Sequence, residues 1–146
     1  MYRLLLLLVL LPACAPSISP LYRDYAVTPV VDTAVEGRLR TALTQAGWTL
    51  APADAPGAVT TEARTFRTWG LYRVEMSLEA VPIGGHHVRV YVHAHRQYVT
   101  GSRSKIPYLR RSLARAVFPD LNEAFTEQGL MFLGTDVQRD RVATQR

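Results

Sequence analysis

Tyr72-Arg-Val-Glu-Met-Ser-Leu-Glu-Ala80 and, a short way on, Val88-Arg-Val-Tyr-Val-His-Ala-His95 decide the fold. In the first stretch Tyr72, Val74, Met76, Leu78 and Ala80 alternate with Arg73, Glu75, Ser77 and Glu79. In the second, Val88, Val90, Val92 and Ala94 alternate with His87, Arg89, Tyr91, His93 and His95. Successive side chains of a strand point to opposite faces, so each stretch reads as a strand with one apolar and one polar face. That is the pattern of an antiparallel sheet covered on one side and wet on the other. Pro82-Ile83-Gly84-Gly85 between them signals a hairpin. Apolar residues must face apolar residues across it, which requires a loop with an odd number of residues. The register with Glu79 opposite Arg89 and Glu75 opposite His93 is preferred, because each such pair contributes roughly 0.2–1 kcal/mol. The rival register closes on a Pro82-Ile83-Gly84 loop.

Working outward toward the N-terminus, Val35, Leu39, Leu43 and Ala46 form one apolar stripe at helical spacing. Asp32 or Thr33 is expected to cap this helix, with Thr33 and Glu36 spaced as a capping box and Gly47 ending it. Arg38, Arg40 and Gln45 lie off the stripe, and Gly37 suggests close packing. Tyr25 to Val31 is extended in character, with Pro29 confining it to an edge or a strand's end. After Trp48-Thr49-Leu50, Ala51 to Gly57 is a loop by composition, and Val59 to Arg67 is Thr-rich and β-prone with poor alternation. Toward the C-terminus, Thr100 to Lys105 is a polar, basic loop. A second helix follows, with Leu109, Leu113, Ala116 and Val117 on its apolar side, continued by Leu121, Ala124 and Phe125. Pro119 should kink or split it, and Gly129 ends it. Leu130 to Leu133 is expected to return to the core. The elements read β-α-β-β-β-α, an α+β two-layer sandwich with a mostly antiparallel sheet and two helices on one face.

Only one segment is directed to a membrane. Arg3 precedes an eight-residue run of Leu and Val, Leu4 to Leu11, the length of a signal-peptide core and well short of the roughly 20 residues a spanning helix needs. Cys14 is the only cysteine, which excludes an intramolecular disulfide, a Cys-based zinc site and a CxxC redox pair. Formal net charge is +5, and all the basic residues but Lys105 are arginines. This charge suits anionic phosphates, although a GC-rich genome also produces it.

Leu11-Pro12-Ala13-Cys14 resembles the bacterial lipobox, an aliphatic residue at −3 and a small one at −1 before an obligatory Cys. The resemblance implies cleavage before Cys14, diacylglyceryl attachment to its thiol and acylation of the new amine. Pro12 departs from the small or hydroxylated residue commonest at −2. Ala15 is not the aspartate of the enterobacterial inner-membrane retention pattern, so the resemblance implies the outer membrane, on its periplasmic side. The alternative is an ordinary secretory signal cut after Ala13 or Ala15. The expected organisation is a signal peptide at 1–13, a lipidated tether at 14–22, one α+β domain at 23–134 and a flexible tail at 135–146. In signal, size and element order the chain is similar to small envelope-assembly lipoproteins, such as the lipopolysaccharide-assembly lipoprotein and the helix-grip domains of the barrel-assembly machinery's accessory lipoproteins. That likeness carries over no site residues.

Two constellations stand out. His87, Arg89, Tyr91, His93 and His95 share a strand face and form a possible partner-binding surface. His93 and His95, with Glu75 nearby, are also spaced as two metal ligands on a strand would be, although zinc or copper needs a third and usually a fourth. Arg103, Lys105, Arg110 and Arg111, with Arg115 beyond them, gather around the start of the second helix as a possible anion site. No catalytic set emerges, because no serine sits in a nucleophile elbow and the carboxylates are scattered. The expectation is a non-catalytic lipoprotein of the cell envelope that binds or scaffolds an outer-membrane protein or lipopolysaccharide, with no cofactor, no resident metal and no nucleic-acid partner. The alternative is a periplasmic metal-binding protein using the His-rich strand.

Overall fold

The two alternating stretches form the centre of the sheet. In the computed structural model, which describes residues 18–29 and 34–134, they become β6 (Tyr72–Ile83) and β7 (His87–Tyr98), twelve residues each. Around them lie β1 (Ile18–Ser19), β2 (Tyr22–Val27), β3 (Leu50–Ala51), β4 (Val59–Thr61), β5 (Arg64–Trp69), β8 (Arg103–Lys105), β9 (Leu109–Arg110) and β10 (Leu130–Gly134). The helices are α1 (Val35–Gln45) and α2 (Arg111–Glu127). The main sheet runs β10-β2-β7-β6-β4-β3, with β5 also on β6 and β8 also on β7. Every pairing is antiparallel. The expected α+β two-layer build is what the chain forms, with more strands than the sequence reading separated.

Parity fixes the two faces. Met76, Leu78, Ala80, Val88, Val90, Val92 and Ala94 all point under the helices and are almost wholly buried. From the helix side Leu39, Ala42, Leu43, Val117, Leu121, Ala124 and Phe125 complete one continuous core with Tyr25 and Leu130. Burying a Leu, Val or Phe side chain contributes about 1.5–3 kcal/mol, so this shared core, rather than hairpin chemistry, selects which face of β6 and β7 turns inward.

The hairpin register differs from both expected ones. Glu79 lies opposite Tyr91, Glu75 opposite His95 and Ser77 opposite His93, and pairing continues to Ile83 opposite His87. The loop is therefore Gly84-Gly85-His86, odd in length as parity demands. Gly84 and Gly85 have φ of 60° and 77°, a left-handed conformation that glycine adopts without penalty. The chain reverses where φ can be positive, and Pro82 and Ile83 remain in the strand.

Other expectations are also corrected. Helix α1 starts at Val35 with Ala34 in the cap position and no side-chain cap bond; Asp32 and Thr33 lie outside the described residues. Gly37 is exposed rather than closely packed. Arg38, although it lies off the apolar stripe, is buried. Its Nε donates to the Gln128 carbonyl at 2.7 Å, Nη1 to the Thr28 carbonyl at 3.0 Å and Nη2 to the Gly129 carbonyl at 2.7 Å. The guanidinium thus joins the end of β2 to the chain just past α2, where a cation also suits the helix dipole; the Gly129 carbonyl accepts from the Thr28 N–H as well, at 3.0 Å. Pro119 does not split α2, which is one helix of 17 residues. Phe118 and Leu121 on either side are buried while Pro119 and Arg115 are exposed. The carbonyl that Pro119 cannot bond therefore faces water, and core contacts hold both halves. Leu109 belongs to β9 rather than the helix, and Ala116 is exposed.

Pairing begins inside the stretch read as a tether, because Ile18 and Ser19 pair with Arg110 and Leu109. Residues 1–17, with the lipobox and Cys14, and the tail at 135–146 lie outside the described residues. Among the described residues no helix is long and apolar enough to cross a membrane.

Candidate functional site

The sheet face turned away from the helices, uncovered by the described residues, carries the predicted surface. His93, His95, Tyr91 and Arg89 project there together because they alternate with the buried Val90, Val92 and Ala94. Much of this face is internally paired. Arg89 grips Asp24 through two bonds, Nε to Oδ1 at 2.7 Å and Nη2 to Oδ2 at 3.0 Å, and lies 4.7 Å over the Tyr22 ring. Register explains this, since Asp24 sits directly opposite Arg89 across β2 and β7. His93 Nε2 meets Glu79 Oε2 at 2.8 Å, and Tyr91 stacks on the His93 ring at 6.5 Å. His87 stands at the turn end of the strand, opposite Ile83, and is exposed.

Glu75, the neighbour expected for a metal, is held by Arg73 at 2.6 Å and approached by Arg103 at 3.5 Å. Among the described residues no three His, Cys, Asp or Glu side chains gather as a metal-binding set. The His95 imidazole titrates below its ordinary range, first because burial disfavours the charged ring, then because Arg103, His93 and Lys105 repel it; Glu75 opposes them.

The basic residues expected at the start of the second helix separate into two places. Arg103 and Lys105 lie on β8, opposite Gln97 and His95, and so join the uncovered face. Arg110 stands at the N-cap position of α2 without a side-chain cap bond, while Arg111 is the helix's exposed first residue. The physical reason is β8 itself, which carries the 103–105 segment away along the edge of β7 before the chain turns into the helix.

A cavity of about 280 Å³ opens beside Arg110 on the helix side of the sheet. Its sheet wall is the continuation of the core row. Past Val74 and Ala94, the inward positions of β6 and β7 are Tyr72, Arg96 and Tyr98, which are only half-buried. Arg67 and Trp69 lie opposite Val74 and Tyr72 on β5 and so face the same way. Trp69 is parallel to Tyr72 at 6.1 Å, and Tyr72 meets Tyr98 at 5.7 Å. Arg67 lies 5.5 Å from the Trp69 ring and Arg96 lies 5.8 Å from Tyr72. Ile106, Tyr108 and the first turn of α2 close the other wall. Three arginines and no carboxylate line this space. No ion pair joins Arg67, Arg96 or Arg110 to a carboxylate among the described residues.

The sequence reading missed this cavity, although a signal existed. Arg96 occupies an apolar-parity position two residues beyond Ala94, where a strand that merely continued the core would carry an aliphatic residue. It likewise missed Arg23, which is buried with its guanidinium 3.9 Å from the Phe118 ring centre. Burial lowers the Arg23 pKa and raises that of its inward neighbour Tyr25, whose hydroxyl donates to Asn122 Oδ1 at 2.7 Å.

No protein-family model matches the chain, and no curated protein is significantly similar to it.

Proposed function

We propose that the chain is a non-catalytic lipoprotein of the bacterial cell envelope. In this reading lipid on Cys14 holds it on the periplasmic side of the outer membrane, where it binds or scaffolds an outer-membrane protein or lipopolysaccharide. The observation that carries the reading is the short distance between the lipobox and the first strand. Among the described residues pairing starts at Ile18, and the four residues from Cys14 span at most about 14 Å at roughly 3.3–3.6 Å per residue. A domain joined so closely to a lipidated cysteine works at the membrane surface. Two or three acyl chains would make that attachment nearly permanent, since each buried CH₂ contributes about 0.8 kcal/mol.

The uncovered face of β6 and β7 supports the partner-binding part of the reading. It presents Tyr91 and His93 together on the central hairpin, with the His93 ring bonded to Glu79 and stacked on Tyr91. The test is a pull-down of the lipidated protein from its own membranes in mild detergent. Specific recovery of a barrel protein or of lipopolysaccharide, reduced by Tyr91→Ala, is the expected result. Recovery of neither, from a preparation whose folding is verified, would refute the scaffold reading.

A further inference from the structure

We infer that the cavity between β5, β6, β7 and the start of α2 receives the phosphate-bearing headgroup of an anionic glycerophospholipid in the membrane beside the domain. Charge is the first argument. Arg67, Arg96 and Arg110 converge on one space with no carboxylate in its lining, whereas Arg40, Arg73, Arg89 and Arg103 each meet an acidic partner. The three guanidinium groups line one space with no carboxylate among them, and an anion with several oxygens can be bonded there in the two-pronged manner that guanidinium favours.

Size is the second argument. About 280 Å³ lies just under the roughly 300–1,000 Å³ of sites that enclose drug-sized molecules. A headgroup fits, and the rest of a lipid would stay outside.

The third argument is what surrounds the opening. Trp69 and Tyr108 line the cavity yet are 52% and 40% exposed. Soluble phosphate gains nothing from such a border. A lipid does, because aromatic side chains flanked by arginines match the boundary between headgroups and acyl chains.

The fourth is position, and it rests on the lipid-anchor reading. Ile18 pairs with Arg110, so the first described strand lies at the same end of the domain as the cavity. An anchor within about 14 Å would bring this end of the domain against the lipid surface.

The experiment uses the full chain in nonionic detergent micelles, where it stays soluble however its N-terminus is modified, with Trp69 fluorescence as the readout. Micelles are doped with phosphatidic acid, phosphatidylglycerol or phosphatidylcholine, and glycerol 3-phosphate and inorganic phosphate are added separately as soluble probes. The expected result is a saturable change with the two anionic lipids at least tenfold tighter than with phosphatidylcholine, weakened by salt and absent in Trp69→Phe. Arg96→Gln and Arg110→Gln should each weaken it fivefold or more, whereas Arg40→Gln, with the same charge change on α1, should not.

Equal response to phosphatidylcholine would overturn the inference, as would unchanged binding in a folded Arg96→Gln/Arg110→Gln protein. Glycerol 3-phosphate binding as tightly as the lipids would assign the cavity to a soluble phosphate and overturn the lipid source. Should the variants fail to fold, the headgroup selectivity of the native chain decides alone. Mass analysis of Cys14 in the same preparation reports the anchor separately, so the two readings can fail independently.

Discussion

Replacing Arg38 by Leu should be among the most destabilising single changes in this chain. The side chain is 4% exposed and its three bonds tie α1 to the carbonyls of Thr28, Gln128 and Gly129. Hydrogen bonds from a charged donor contribute about 1.5–3 kcal/mol each. Three would sum to more than the effect expected, because Gln128 and Gly129 are only half-buried and water can replace part of what is lost. The expected loss is about 3–5 kcal/mol, a large share of the 5–15 kcal/mol typical of a domain. Gly129 provides an internal check. A Cβ built there would lie 2.8 Å from Arg38 Nη2, at a φ of +68°. Gly129→Ala should therefore displace the guanidinium as well as strain the backbone. Urea unfolding followed by circular dichroism on Arg38→Leu, Gly129→Ala and the double variant measures both. The double variant should lose at least about 1 kcal/mol less than the sum of the singles, because the clash vanishes with the arginine. A loss below about 1 kcal/mol for Arg38→Leu, or strict additivity, would refute this account of the junction.

Three further outcomes follow from the same geometry. Asp24→Ala should cost about 2–3 kcal/mol by urea unfolding, below the 3–5 kcal/mol of a fully buried pair because Arg89 keeps some access to water; a change within 0.5 kcal/mol would mean the bidentate contact is not formed in solution. His95 should titrate by NMR below its ordinary 6.5, and Arg103→Gln should move the midpoint upward. The depressed folded-state value means the unfolded chain takes up the proton first. This group's contribution is therefore fully present above pH 6.5 and is lost as pH falls from there toward the folded value; a midpoint above 6.5 would contradict the assignment. Pro119→Ala should stabilise the protein by about 1–2 kcal/mol in thermal or urea melts, because it restores the α2 hydrogen bond to the Arg115 carbonyl, offset by the greater freedom of the unfolded chain. Destabilisation would show that α2 depends on the proline's local geometry.

The architecture was legible because strand alternation and helix stripes are local signals enforced by one shared core. Met76, Leu78, Val90 and Val92 point inward as their parity requires. The register was misread because charge pairing was allowed to choose it. Opposite-charge pairs are worth only tenths of a kcal/mol to about 1 kcal/mol, and the backbone conformation of Gly84 and Gly85 outweighs them. The burial of Arg38 was not legible because a charged residue on a helix is ordinarily solvated, and two of its three partners stand 90 and 91 positions away in sequence. The same limit hid the cavity, whose walls come from residues 67–69, 72–74, 96 and 106–113. The His-rich face was legible from parity alone, whereas its pairing with Asp24 and Glu79 depends on register and on β2. Arg103 and Lys105 could not be separated from Arg110 without knowing that β8 pairs with β7.

Mass spectrometry of the N-terminal peptide, released from protein extracted from its own membranes, tests the central claim most directly. The account predicts a mature N-terminus at Cys14 whose thiol carries diacylglycerol and whose amine is acylated. A chain beginning at Cys14 with a free thiol, or one beginning at another residue, would contradict it.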